Sequence, residues 1–196
     1  DAALRAARRK LEIAGSPSAA RDASALMNVV QGGAPVWTPL DDAQIATLDQ
    51  LVQRRARREP ISHITGKRAF WLHDFVVSSD VLDPRPDTET LIDVALKEPF
   101  ASVLDLGTGS GCIVLSLLHE KPTARGLGTD LSTKALDVAR TNAEIVGVTE
   151  RVDWQQSDWF SDVSGHFDLI VSNPPYIAEA EMSGLSPELS FEPRLA

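Results

Sequence analysis

The stretch that decides the fold is Asp105-Leu106-Gly107-Thr108-Gly109-Ser110-Gly111, which lies between two apolar segments. Residues 102–106 form an apolar run of strand length, and residues 112–119 have the length and composition of a buried helix. Glycines between a strand and a helix let the backbone turn sharply and let a ligand approach the main chain, because no Cβ blocks it. Since a glycine loop can also serve only to turn the chain, the flanking sequence has to distinguish the two readings.

The alternation of strand and helix continues after this loop. Further strands are predicted at residues 124–129, 151–155 and 167–172, and a helix at 133–146. The run Asp168-Leu169-Ile170-Val171 is expected to be buried on both faces. Strands that alternate with helices of this length are typical of a parallel sheet with helices on both sides. We therefore expect an α/β fold.

The N-terminal part of the chain has a helical pattern instead. Apolar residues recur at three- and four-residue steps in three segments, and Asp41 or Asp42 is expected to cap the third. Alternating apolar residues then predict a β-hairpin around His73-Asp74, and a Pro-rich turn leads into a helix at residues 88–97. The predicted organisation is a helical bundle at residues 1–60, a connector with a hairpin at 61–87, and a sheet domain at 88–196.

Composition excludes several classes of protein. The 196 residues are 43% hydrophobic and 24% charged, which excludes collagen-like and coiled-coil chains. No apolar run approaches the roughly 20 residues of a membrane-spanning helix, so no membrane association is expected. Cys112 is the single cysteine, which excludes an internal disulfide and a cysteine-based zinc site. This cysteine content suits a reducing compartment, and we expect a cytoplasmic protein.

The net charge of −9 is unevenly distributed, with +3 in residues 1–75 and −12 in residues 76–196. An acidic half is a poor binder of polyanions, because such binding needs clustered Lys and Arg. A basic cluster in the other half could contact an acidic partner or RNA, or it could be a solvated helix face. Its members are Arg54, Arg55, Arg57, Arg58, Lys67 and Arg68.

The glycine spacing separates two kinds of cofactor. The loop reads G-x-G-x-G rather than the dinucleotide pattern G-x-G-x-x-G, and no phosphate-binding lysine follows. Asp130 ends the second strand, where a carboxylate can accept hydrogen bonds from ribose hydroxyls; the alternative is that it caps the next helix. The pattern resembles motif I of class I S-adenosylmethionine-dependent methyltransferases. In that fold Asp158 and Trp159, after the third strand, would meet the adenine, although Trp159 could also be core filler.

The second constellation is Asn173-Pro174-Pro175-Tyr176, directly after the fourth predicted strand. Two consecutive prolines lack N–H groups and hold a stiff extended shape. The Asn173 side-chain oxygen and the Pro174 carbonyl therefore present two fixed acceptors to a planar –NH2 group, which Tyr176 can cover. The alternative is a Pro-Pro turn that only ends a strand. Such acceptors act by electrostatic preorganisation, so neither a general base nor a metal is expected.

The wider sequence resembles the HemK/PrmC family of peptide-chain release factor glutamine N5-methyltransferases. The resemblance spans essentially the whole chain. Besides the glycine loop and Asn173 to Tyr176, it is carried by PISHITG at residues 60–66, FW at 70–71, VLDPRPDTE at 81–89, SDWF at 157–160 and FEP at 191–193. It implies a class I methyltransferase (Rossmann-like) parallel sheet with a small N-terminal helical bundle that docks the release factor.

The resemblance also implies the reaction and the site. A methyl group would pass from S-adenosyl-L-methionine to the glutamine of the GGQ tripeptide in class 1 release factors, modulating translation termination and leaving S-adenosyl-L-homocysteine. The implied cofactor-binding residues are Asp105, Gly107, Thr108, Gly109, Ser110, Gly111, Asp130, Asp158, Trp159 and Asn173. Catalysis and amide binding would fall to Asn173, Pro174, Pro175 and Tyr176. Arg85, Asp87 and Glu89 would border the pocket, with Arg85 and Glu89 contacting substrate, unless they only form a rigid turn and a helix cap.

Two departures and two alternatives accompany this reading. Asp83 stands where the family pattern has an apolar residue, and four readable strands, where seven are normal, predict a sheet truncated at its C-terminus. The first alternative is an N6-adenine DNA methyltransferase, which shares the Asn173 to Tyr176 motif but is disfavoured by the acidic C-terminal half, so no direct DNA binding is expected. The second is a cofactor-binding or docking module without turnover.

Overall fold

A computed structural model of the chain describes residues 2–35, 37–175 and 187–193. These residues form two compact units. The helical unit contains residues 2–66 and 187–191, and the sheet unit contains residues 67–175 with 192 and 193. Residues 61–87, the expected connector, do not form a unit of their own, because the chain divides between Gly66 and Lys67.

The helical unit is built from α1 (Ala2–Ile13), α2 (Ala19–Gln31), α3 (Asp42–Ala56) and the short α4 (Ile61–Thr65). One apolar face of each helix packs into a common core made of Ala7, Leu11, Ala19, Ala23, Leu26, Met27, Leu48, Val52 and Ile64. Of the two predicted caps for α3, Asp41 is the one used. Its carboxylate accepts a hydrogen bond from the Gln44 N–H, and the Gln44 side chain accepts one from the Asp41 N–H.

Acidic side chains of the chain itself neutralise much of the basic cluster. In the helical unit, Arg55 is buried and its Nε donates to Asp22 Oδ2 at 2.7 Å. Arg58 Nε donates to Glu188 Oε1 at 2.8 Å, and Arg54 pairs with Glu59. These arginines are held by intramolecular ion pairs, which neither of the two readings of the cluster anticipated.

The sheet unit begins with an antiparallel hairpin of β1 (Lys67–Phe70) and β2 (His73–Val76). Phe70 pairs with His73, so the turn consists of Trp71 and Leu72. The predicted hairpin centre at His73-Asp74 is therefore wrong by two residues. Trp71 adopts a φ of +52°, as two-residue hairpin turns require, although its side chain gives no sequence signal for that conformation.

Four parallel strands follow: β3 (Ser102–Leu106), β4 (Arg125–Asp130), β5 (Val152–Gln156) and β6 (Leu169–Ser172), in the order β5-β4-β3-β6. The accompanying helices are α5 (Glu89–Ala95), α6 (Cys112–Glu120) and α7 (Thr133–Val146). This is the predicted α/β architecture with a parallel sheet. From β3 the chain runs outward through β4 to β5 and then returns to β6 on the other side of β3. Ligands of open α/β sheets bind in the crevice at such a reversal, outside the carboxyl ends of the strands.

The prediction that residues 168–171 are buried on both faces is wrong. Val171 is buried, but Asp168 is exposed and Ile170 is 52% exposed. The reason is that successive side chains of a strand point to opposite faces, and only one face of β6 is covered within the described residues. Asp168 instead anchors the start of β3, since its Oδ2 accepts from the Ala101 and Ser102 N–H groups at 2.9 Å. None of the helices in the described ranges has the length and apolarity of a membrane span.

Candidate cofactor and substrate site

A cavity of about 730 Å³ opens where the four parallel strands end. Its described lining residues all belong to the sheet unit, and each strand contributes the residues that follow it. Its walls include Gly107 to Ser110 after β3, Asp130 to Ser132 at the end of β4, Ser157 to Trp159 after β5, and Asn173 to Pro175 after β6. The topology thus brings the two sequence constellations to one hollow.

The glycine loop forms one wall, and its conformation explains its composition. Gly107 and Gly109 have φ angles of +68° and +54°, in the region that disfavours side chains. A Cβ on either would have no atom within 4 Å, so the backbone edge of the loop is open. Gly111, outside the cavity lining, begins α6, and a Cβ there would lie 3.0 Å from Leu115 Cδ1. Its φ of +78° and this close approach both disfavour a side chain there.

Asp105 lies beneath this loop rather than in the cavity wall. Its side chain is fully buried, and its Oδ2 accepts a hydrogen bond from Thr108 Oγ1 at 2.7 Å. Its Oδ1 has no hydrogen-bond partner within the described residues. Burial raises the pKa of Asp105 to about 7, because the low-dielectric interior disfavours the charged form.

Asp130 joins the glycine loop to the start of α7. Its Oδ2 accepts from the Gly109 N–H and its Oδ1 from the Ser132 N–H, both at 2.9 Å. The N-cap of α7 is Ser132, whose side chain accepts from Ala135 N–H. Asp130 is therefore a cavity residue that precedes the cap, and the alternative of a simple helix cap does not describe it.

Asp158 and Trp159 line the side of the cavity next to β5. Trp159 is 49% exposed and has a φ of +52°, so it is not core filler. Buried Ser157 supports this turn, since its N–H donates to the Asp130 carbonyl at 3.1 Å and its Oγ donates to the Trp159 carbonyl at 2.8 Å.

Asn173, Pro174 and Pro175 border the cavity at the end of β6. The preceding Ser172 ties this end to β3, because its Oγ donates to the Leu106 carbonyl at 2.8 Å. Within the described part of the chain, the Asn173 side chain makes no hydrogen bond to protein. Tyr176 lies outside the described residues.

The Pro-rich segment contributes one of its three predicted site residues to the cavity. Arg85 lines it, and its Nη2 donates to both carboxylate oxygens of Glu192 at 2.8 Å. Asp87 is exposed and is not part of the lining. Glu89 is used elsewhere, because its Oε1 accepts from the Trp71 N–H in the hairpin turn at 2.9 Å.

The unexpected acid at position 83 has a partner in the hairpin. Asp83 is 5% exposed, and its Oδ2 lies 3.6 Å from Arg68 Nη1. Glu192, whose side chain is 4% exposed, has a raised pKa, first because of burial. The buried carboxylates of Asp83 and Glu192 are thus matched by Arg68 and Arg85.

Sequence reasoning missed part of the cavity wall. The missed residues are Ser79, Asp80, Val81, Leu82, Pro84, Thr88, Cys112, Ile113, Leu131, Ser132, Ala135, Ser157 and Pro193. The segment at 79–82 folds over the start of α7, where Val81 packs with Ala135. Its mixture of small, acidic and apolar residues does not distinguish a cavity wall from a buried loop. No group of three or more metal-binding side chains occurs among the described residues.

Comparison with known proteins adds two family matches that together cover most of the chain. Residues 2–66 match the family described as PrmC N-terminal domain, and residues 67–186 match the family described as Methyltransferase small domain. The boundary between the two matches coincides with the boundary between the helical and sheet units.

Several curated relatives are described as release factor glutamine methyltransferases. A release factor glutamine methyltransferase of Cereibacter sphaeroides is 49% identical over 99% of this chain and 72% of its own length. One of Rhodospirillum rubrum is 44% identical over 95% of this chain and 61% of its own length. Among solved structures, an RNA methyltransferase from Salinibacter ruber in complex with S-adenosyl-L-homocysteine is 26% identical over 56% of this chain and 69% of its own, with a TM-score of 0.41.

Proposed function

Because the chain belongs to the release factor glutamine methyltransferase family, we propose that it methylates the side-chain amide nitrogen of the glutamine in the GGQ tripeptide of class 1 peptide chain release factors. The methyl donor in this proposal is S-adenosyl-L-methionine. The observation that carries the proposal is that Asn173, Pro174 and Pro175 border the same cavity as the glycine loop. The proposed hydrogen-bond acceptors for the glutamine amide and the proposed cofactor-binding loop thus line the same cavity.

The residues present fit such a cofactor. The backbone edge at Gly107 and Gly109 is open where side chains would stand. Asp130 already accepts one hydrogen bond on each oxygen, but a carboxylate oxygen has two lone pairs, so both can accept another from a ribose hydroxyl. Asp158 and Trp159 offer an acceptor and a flat apolar surface for the adenine. When bound, S-adenosyl-L-methionine would supply an electrophilic methyl group.

The chain's own residues would make the substrate nitrogen reactive. A glutamine amide is a weak nucleophile, because its nitrogen lone pair is delocalised into the carbonyl. Asn173 Oδ1 and the Pro174 carbonyl would accept its two N–H groups, which orients the nitrogen toward the glycine loop. They would also stabilise the positive charge that develops on nitrogen in the transition state. Holding the reacting atoms in line at about 3 Å supplies the remaining advantage. We assign Tyr176 the role of covering the amide, as the family resemblance implies.

The remaining roles implied by the family resemblance are part of this proposal. Asp105 would support the cofactor-binding loop from below through its hydrogen bond with Thr108. Arg85, held by Glu192, would contact the substrate at the cavity rim. The helical unit would dock the release factor; in support, Ile13 and Trp37 are 79% and 84% exposed there. Since release factors act on ribosomes, we place the protein in the cytoplasm. The relatives do not favour an N6-adenine DNA methyltransferase, and no contact with DNA is proposed.

The proposal is tested by methyl transfer. The chain is incubated with S-adenosyl-L-methionine and a class 1 release factor, and the GGQ peptide is then analysed by mass spectrometry. We expect a mass increase of one methyl group on the glutamine, and none on a release factor whose glutamine is replaced by Asn. Cofactor binding in calorimetry without any transfer would instead favour a docking module, and methylation of an adenine-containing oligonucleotide would favour the DNA enzyme.

The role of Asn173 gives the first mechanistic prediction. Asn173→Ala should leave the affinity for S-adenosyl-L-methionine nearly unchanged but slow methyl transfer about 10²-fold or more, the scale of one lost preorganised contact. Single-turnover kinetics and calorimetry measure the two quantities. Asp137→Ala, a change of an exposed ion pair on α7, is the control and should transfer at the parental rate. Equal rates for Asn173→Ala and the parent would refute the role.

A further inference from the structure

Asn142 is a buried polar side chain that the proposed mechanism does not use. It lies in the third turn of α7 and is fully buried. Burial of an amide costs free energy unless its donors and its acceptor are all paired. The hydrogen-bond partners of Asn142 therefore indicate its role in the fold.

Its three hydrogen bonds connect two separate elements of the sheet unit. Oδ1 accepts from the Val76 N–H at 2.7 Å, and Nδ2 donates to the Val76 carbonyl at 3.0 Å, so the amide pairs with β2 as a neighbouring strand would. Nδ2 also donates to the Ser110 carbonyl at 2.8 Å. Both N–H groups and the oxygen are thus satisfied, and only one orientation of the amide can satisfy all three partners.

Ser110 belongs to the glycine loop. Two other hydrogen bonds that hold this loop are made to residues of β4. The Gly109 N–H donates to Asp130 and the Thr108 N–H donates to the Thr129 carbonyl at 2.8 Å. Asn142 adds a bond from α7, and the same side chain is bonded to the hairpin strand β2. The position of the Ser110 carbonyl therefore depends on α7 and on the hairpin as well as on the sheet.

We propose that Asn142 is a positioning residue that holds the glycine loop in its cofactor-binding conformation by bridging Ser110 to Val76. The inference rests on the proposed function, in which this loop binds S-adenosyl-L-methionine. It predicts that cofactor affinity depends on a side chain that lines no part of the cavity. It also predicts that cofactor binding and the attachment of the hairpin strengthen each other, since a coupling between two sites is reciprocal.

The variant that tests this is Asn142→Asp, which keeps the size and one acceptor but removes both N–H donors. We expect the Kd for S-adenosyl-L-methionine, measured by calorimetry on the folded protein, to rise about tenfold or more, the scale of leaving a buried carbonyl unpaired. In the transfer assay the KM for the cofactor should rise while kcat at saturating cofactor stays near the parental value. A substitution that only destabilises the fold would leave part of the sample unfolded and would lower the apparent kcat instead.

Val146→Ala is the matched control. Val146 is a buried residue of the same helix that packs in the core, so its truncation should lower the melting temperature by several °C without altering the Kd of the folded fraction. The two variants are compared by the Kd of their folded fractions. If Asn142→Asp has the same Kd as Val146→Ala, the role of Asn142 is only structural and the proposal is overturned.

A measurement on the parent protein covers the case in which Asn142→Asp does not fold. Saturating S-adenosyl-L-methionine should slow hydrogen exchange of the Val76 N–H by a larger factor than it slows the Leu117 and Leu118 amides of α6. An equal factor for all three overturns the proposal. If the parent binds no cofactor at all, the proposed function fails, and this inference fails with it; a parent that binds while the variant binds equally well overturns this inference alone.

Discussion

Burial strongly perturbs the carboxyl group of Asp105, which lies beneath the glycine loop. Burial raises its pKa from 3.8 to about 7. Below about pH 7 the group is therefore mostly neutral in the folded protein. Its Oδ1, which has no hydrogen-bond partner within the described residues, lies beneath a loop that we propose binds a cationic ligand. Structural carboxyl groups usually have full hydrogen bonding, so this one is a functional candidate on physical grounds.

A pH dependence of stability follows from this pKa. Between about pH 4 and pH 7 the folded protein holds a proton on Asp105 that the unfolded chain has lost, so its stabilising contribution is full below pH 4 and disappears as the pH rises through 7. Asp105→Asn does not titrate there. We measure the free energy of unfolding of both proteins with urea. As the pH rises from 5 to 8, the value for Asp105→Asn should increase relative to that of the parent.

An opposite control is available in Asp168. Its pKa is lowered, first by the hydrogen bond from the Ala101 N–H, so its contribution is present above about pH 4 and is lost as the pH falls through the lowered pKa. Asp168→Asn should differ from the parent by a constant amount between pH 5 and pH 8. Parallel profiles for Asp105→Asn and the parent would contradict the raised pKa of Asp105.

At the scale of elements, the two glycines of β4 determine how closely its neighbours pack. A Cβ at Gly126 would lie 2.7 Å from Val114 Cγ2 of α6. A Cβ at Gly128 would overlap the Trp154 ring, 2.6 Å from Cε3, and lie 3.1 Å from Thr108 Oγ1 in the glycine loop. Both positions exclude a methyl group, but only Gly128 transmits the clash to the cofactor loop.

This difference is testable with one substitution at two sites. Gly126→Ala and Gly128→Ala should each lower the free energy of unfolding by about 1–3 kcal/mol, the usual cost of overpacking. Only Gly128→Ala should also weaken binding of S-adenosyl-L-methionine, by about tenfold, because Thr108 has to move. Urea unfolding and calorimetry measure the two effects, and equal affinities in the two variants would contradict the argument.

The strands and helices of the sheet unit were predictable from sequence, whereas several side-chain roles were not. The alternation of strand and helix and the glycine loop specify the parallel sheet, because parallel strands need buried apolar runs and helical crossovers. The hairpin turn at Trp71 and the exposure of Ile170 depend on backbone conformation and on which face is covered, which apolar spacing does not encode. Likewise, the positions of Glu89 in the hairpin turn and Asp105 below the loop follow from tertiary contacts that a motif does not contain.

At the scale of the whole molecule, the two units are stabilised by different means. The sheet unit has a large apolar core around α6, where Val114, Leu115, Leu117 and Leu118 are fully buried. The helical unit has a smaller core and adds a buried ion pair between Arg55 and Asp22. A buried pair contributes little relative to apolar packing, but the loss of one partner leaves an uncompensated charge.

The helical unit should therefore be sensitive to loss of Asp22. Asp22→Ala is expected to lower its free energy of unfolding by about 3 kcal/mol, whereas Asp49→Ala, which removes the exposed partner of Lys10, should cost less than about 1 kcal/mol. Urea unfolding measures both. Calorimetry on the folded protein should show parental affinity for S-adenosyl-L-methionine in each variant, since the cavity lies in the sheet unit. Similar stabilities of the two variants would contradict the role of the buried pair.

The thiol of Cys112 offers a direct readout of this cavity. It lines the hollow yet is buried, and burial raises its pKa to about 12, so almost no thiolate exists at neutral pH. A reagent that enters the hollow can reach this thiol, but it reacts slowly because so little thiolate is present. Because the sequence contains a single cysteine, the rate of alkylation reports on one place, and any molecule that fills the hollow should slow it in proportion to its occupancy.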